Sequence, residues 1–168
     1  HGGMPSLLSS RRAPAGHVLF RFTGALIGAN TGDRCLQVGL KYWLTPHPEQ
    51  GEPPWVFLNH SFAPTVHLTH PPLAFDASGG GGESSESSGP SEPSALPAPP
   101  VLTATANVAL GENTPLTIDY TLHEWAMSGG GFVCAESGRS VRGFQFLTRE
   151  QQEHSLGRAA DHIQRLMR

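Results

Sequence analysis

Three histidines, His60, His67 and His70, lie close together, separated by six and by two residues. Three imidazoles can hold a catalytic zinc and leave a fourth position for water. On an extended strand, however, His67 and Leu68 face opposite sides, and so do His67 and His70 if the strand continues. Pro71 and Pro72 interrupt it, and solvated histidines are the plainer reading. Cys35 is a conceivable nucleophile, but it stands in the apolar run RCLQVGL, where a free thiol is commonly buried and inert. Asp119 and Glu124 flank Tyr120, with His123 between the tyrosine and Glu124. A carboxylate beside a tyrosine or histidine in a cleft can act as a general base. Asp119 and Tyr120 alternate across a strand. His123 and Glu124 fall just past it, as candidates for acid–base work or as solvated loop residues. Trp43, Trp55 and Trp125, with Tyr42, Phe57 and Phe62, can line an aromatic cavity or pack a core.

The elements that must position these groups are short. His17 to Phe22 reads as a strand after a Pro-Ala-Gly turn. Arg34 to Leu40 and Lys41 to Thr45 follow the turn Thr31-Gly32-Asp33. Trp55 to Leu58 is a continuous apolar run suited to a buried strand. Thr65 to Thr69 and Val101 to Ala109 alternate, and Leu116 to Tyr120 follows the turn at Gly111-Glu112-Asn113. Many short strands punctuated by glycine and proline indicate a mainly β fold. At the C-terminus, Thr148 and Gln151 have capping-box spacing. Leu156, Ala159 or Ala160, Ile163 and Leu166 then recur at helical intervals, predicting one helix over about Arg149 to Met167 packed on the sheet.

Composition narrows the function classes. Of 168 residues, 20 are Gly and 15 are Pro, so much of the chain is turn or linker. Charged residues are 15% and the net charge is −3, which argues against nucleic acid or an anionic membrane as partner. No apolar stretch is long enough to span a bilayer. Of residues 76–100, seventeen of 25 are Gly, Ser or Pro, with four acids and no base, read as a disordered surface insertion or, less simply, an acidic docking loop. The two cysteines, Cys35 and Cys134, build neither a disulfide scaffold nor a four-thiolate zinc site. With no signal peptide visible, an intracellular, reducing compartment (cytoplasm or nucleus) is expected. His1-Gly2-Gly3 before Met4 reads as a tag remnant, with Met4 as a natural start.

Three stretches, in order, resemble a SET domain, the protein-lysine methyltransferase fold. Asn59-His60-Ser61-Phe62-Ala63-Pro64-Thr65 is similar to the family's N-H-S-C-x-P-N. Gly111 to Tyr120 (GENTPLTIDY) is similar to G-E-E-L-T-x-D-Y. Phe132-Val133-Cys134-Ala135, with Arg142-Gly143-Phe144, resembles the post-SET pattern with most of its cysteines gone. Arg11 to Gly24 resembles the opening strand, and Cys35 to Leu44 the middle strands. Tyr120, Glu124 and Trp125 match a continuation found in small fungal SET-like sequences, which implies a fungal origin. Three positions depart from the pattern: Met4-Pro5-Ser6-Leu7 stands where a glycine turn approaches the cofactor, Thr65 replaces an Asn, and only Cys134 remains of the post-SET thiolates.

The resemblance implies a SET-like β-clip of small sheets over residues 4–147, with a threaded C-terminal segment, and the helix of residues 148–168 packed on it. It implies S-adenosylmethionine as cofactor, held by Asn59, His60 and Phe132, with no zinc. Tyr120 is then the catalytic residue that orients an amine, from a protein lysine or a small molecule, and Trp125, Glu124 and Phe62 are candidate substrate-pocket residues. Two alternatives follow from the departures. One is a SET-derived enzyme that has lost methyl transfer and converts a small molecule, as a cyclase or isomerase, in a fungal biosynthetic pathway. The other is a non-catalytic interaction domain.

Overall fold

A computed structural model describes residues 5–32, 34–73 and 96–168. Most of the expected insertion at 76–100, and the expected tag remnant with Met4, lie outside the described residues.

Ten short strands occur among the described residues: β1 (Val18–Phe22), β2 (Ala25–Ile27), β3 (Leu36–Gly39), β4 (Tyr42–Thr45), β5 (Asn59–His60), β6 (Val66–Thr69), β7 (Leu102–Ala106), β8 (Thr117–Ile118), β9 (Phe132–Val133) and β10 (Ser140–Val141). They form two antiparallel three-stranded sheets, β1-β7-β6 and β2-β4-β3, an antiparallel pair β9-β10, and a parallel pair β5-β8. The fold is mainly β, built of small sheets, with a helical C-terminus.

Alternation explains the largest sheet. Along β7, Leu102, Ala104 and Ala106 point inward and Thr103 and Thr105 outward. Val66 and Leu68 of β6 share that inner face. The main core gathers these with Val38, Leu44, Leu58 and Ile118. A second core, Leu122, Phe144, Ala159 and Ile163, lies under the C-terminal segment.

Two elements differ from their sequence-based expectation. Trp55 to Leu58 is not a strand. Pro54–Phe57 forms a 3-10 turn, because Pro54 opens it with a φ already set for a helix and no N–H to leave unpaired. Trp55 is buried there all the same. The C-terminal segment is helical, but in two pieces, α1 (Arg149–Ser155) and α2 (Asp161–Leu166), joined by a 3-10 turn at Leu156–Arg158. The break comes at Ala160, whose N–H leaves the helix to donate to Leu122 O at 2.7 Å. The capping box forms as expected: Thr148 Oγ1 accepts from Gln151 N–H, and Gln151 Oε1 accepts from Thr148 N–H.

Candidate functional site

The parallel pair is the hinge of the site. Asn59 lies opposite Thr117 and His60 opposite Ile118, and Ser61 N–H donates to Ile118 O at 3.0 Å. Thr65 fastens the same crossing. Its Oγ1 donates to Pro115 O at 2.9 Å and accepts from Thr117 N–H at 2.9 Å, while its own N–H donates to Thr117 Oγ1. A threonine therefore supplies both a donor and an acceptor where these segments cross.

Beyond β8 the chain turns sharply. Asp119 Oδ1 accepts from Thr121 N–H and Thr121 Oγ1, capping a 3-10 turn at Tyr120–Leu122. Asp119 is thereby a structural cap. The turn lays Tyr120 against β5: Tyr120 N–H donates to His60 Nδ1 at 3.2 Å, and its hydroxyl donates to Leu58 O at 2.7 Å. Because His60 Nδ1 accepts, the proton of the neutral ring is on Nε2, which is buried and has no hydrogen-bond partner. The His60 ring also meets Tyr120, Phe62 and Phe132 edge-on, at 5.4, 4.5 and 5.7 Å. Burial holds it below the usual histidine range against the pull of Asp119.

These groups wall a cavity of about 780 Å³. Asn59, His60, Tyr120, Glu124 and Phe132 all line it, as does His123. Phe132 reaches the wall on β9, held there by Gly131. That glycine has φ +85°, and a Cβ on it would run into the Val141 carbonyl. Trp125 and Phe62 are not among the lining residues. Trp125 stacks on Phe144 in the second core at 6.3 Å, and Phe62 carries the Arg139 guanidinium on its ring at 3.9 Å, beside a separate cleft of about 540 Å³.

Two further placements were not foreseen. Cys35 is half-buried just before β3 and lines the cavity rather than lying inert within a strand. Gln37, buried in β3, clamps the segment after Tyr120: its N–H donates to Glu124 Oε1 at 2.8 Å and its Oε1 accepts from Trp125 N–H at 2.8 Å. A glutamine inside an otherwise apolar run was the sequence signal for that role. His67 and His70 do not join His60, and among the described residues no group of three His, Cys, Asp or Glu is arranged to hold a metal ion.

The electrostatics favour neutral groups. Burial, with a smaller contribution from Glu124, pushes the Tyr120 phenol up to about 12. Burial raises Glu124 to about 7, against the opposing pull of the Gln37 N–H and the Trp43 indole. His123 falls to about 3 through burial and the neighbouring His67, His162 and His70. The cavity can therefore take a ligand with apolar surface and offer it a phenol oxygen, an imidazole N–H and one carboxyl group that titrates near neutrality. Compared with known proteins, the chain matches no family model and no curated protein sequence.

Proposed function

We propose that the chain is a SET-like methyltransferase that acts on an amine and holds S-adenosylmethionine in the cavity between β5 and Tyr120. The observation that supports it most is the parallel pairing of the Asn59-His60 segment with the strand that runs into Tyr120, around one cavity. These are the two stretches whose motifs resemble the family, and they are 60 positions apart in the chain.

The residues present fit the cofactor. A volume of about 780 Å³ lies within the range of roughly 300–1,000 Å³ usual for ligands of this size. Phe132 and His60 offer aromatic surface. His60 Nε2–H and Asn59 Oδ1 are polar atoms with no hydrogen bond among the described residues. When bound, the cofactor supplies an electrophilic methyl group on a sulfonium. The chain's part is to deliver a neutral amine in line with it. Tyr120 remains a phenol at any physiological pH. Its hydrogen is committed to Leu58 O, so its oxygen is left to accept an N–H of the amine and orient the nitrogen lone pair. His60 fixes the Tyr120 backbone, and Gln37 fixes the wall beside it.

A second reading, a SET-derived enzyme converting a small molecule without the cofactor, draws on a different observation. The Asn59 amide is engaged by Pro5 O at 3.1 Å and Ser6 Oγ at 2.8 Å. The stretch that stands where the family carries a glycine turn here contains Pro5 and is tied to Asn59, a residue of the cavity wall.

Calorimetric titration with S-adenosylhomocysteine separates the two. Micromolar binding is expected, together with methyl transfer that Tyr120→Phe reduces by at least tenfold. Absence of binding at millimolar concentration removes the methyltransferase reading and leaves the second reading and the non-catalytic interaction domain.

A further inference from the structure

Glu124 is 7% exposed, yet it lines the cavity. Its Oε1 is held by Gln37 N–H. The Gln37 side chain accepts from Trp125 N–H and donates to Gly39 O, so one buried glutamine holds both Glu124 and the residue after it. Glu124 Oε2 is shut from water and has no partner at full hydrogen-bond geometry, the neutral Trp43 indole N–H being the one donor that steadies it. Every ion pair among the described residues lies elsewhere, and Arg34, the arginine on the cavity wall, is paired with Glu52. A carboxylate taken out of water with neutral donors but no cation is unfavourable, and it remains unfavourable until a ligand brings one. The walls nearby are aromatic: Phe22, Trp55, Tyr120 and Phe132. Aromatic faces attract a cation and do nothing for an anion.

We propose that Glu124 is the specificity-determining anchor of the cavity, selecting a ligand with a cationic amine over a neutral ligand of the same shape. The inference rests on the methyl-transfer reading for its amine, which docks as the ammonium that predominates in water and is neutral only once it has lost that proton, but its test involves no cofactor. Burial places the titration of this carboxyl near neutrality, so the selectivity carries its own pH signature.

Calorimetric binding of n-butylamine and n-butanol to the full chain, between pH 6 and 9, reads it directly. The amine stays cationic across that range. Wild type is expected to bind butylamine at least tenfold more tightly than butanol above pH 7, with the preference shrinking as pH falls below 7. Glu124→Gln keeps an oxygen for Gln37 N–H and is expected to bind the two probes within twofold of one another. Equal binding of both probes by wild type, or a preference that survives in Glu124→Gln, overturns the proposal. The wild-type comparison and its pH profile decide the matter alone if the variant does not fold. Failure to bind S-adenosylhomocysteine is a separate result that removes the methyltransferase reading and leaves the anchor standing.

Discussion

At the scale of single residues, the site depends on polar groups whose partners are backbone. Tyr120→Phe removes the donor to Leu58 O and leaves that carbonyl unpaired. A loss of about 1 kcal/mol in urea unfolding is expected, alongside, under the proposed function, the loss of turnover. Unchanged turnover would sink the role given to the phenol. Residue type and order singled out the tyrosine, the Asn-His pair, Glu124 and Phe132, and these line one cavity. Trp125 and Phe62 lie away from it, since an aromatic side chain suits a core and a cavity equally. Cys35 and Gln37 were passed over because an apolar run reads as buried, and burial by itself does not distinguish a cavity wall from a packed interior.

At the scale of elements, alternation in β6 and β7 and the capping box at Thr148 were readable, since both are local patterns with local causes. The 3-10 turn at Pro54 and the break at Ala160 were not. One arises from proline chemistry within an apolar run, and the other from a carbonyl 38 positions earlier, at Leu122. Two substitutions probe these elements. Thr148→Ala removes the side-chain acceptor of α1 and is expected to cost about 1 kcal/mol in thermal unfolding. Gly131→Ala forces a side chain into a left-handed backbone against the Val141 carbonyl. It is expected to cost roughly 2 kcal/mol or more and to weaken ligand binding, because Phe132 follows directly on β9. Ligand affinity unchanged in a folded Gly131→Ala protein would show that β9 does not shape the cavity.

At the scale of the whole molecule, the buried titratable groups set the response to acid. His123 and His162 are held neutral down to about 3 and 4, so the folded chain refuses protons that the unfolded chain accepts below about 6.5. Stability from these two is whole above pH 6.5 and is lost as pH falls. Glu124, raised to about 7, works in the opposite sense. Its folded form binds a proton that the unfolded form gives up above about 4.5, so its contribution is present at low pH and lost as pH rises through 7. Between pH 6.5 and 4.5 the two histidines outnumber the one carboxyl. Stability should fall as pH drops through this range, the lowered His60 and His67 adding to the fall. Glu124→Gln should steepen that fall and raise the melting temperature at pH 8. Urea midpoints across this range check both, and a flat profile would contradict the buried, neutral histidines. The pairing of β5 with β8 carries one more implication, about time rather than energy. Neither two-residue strand can nucleate alone, and their partners are far apart in sequence, so a long loop must close before either gains anything. The hollow should thus come into being among the last steps of folding, and a molecule that fills it would act as a late brace, slowing the chain's opening far more than it hastens its closing.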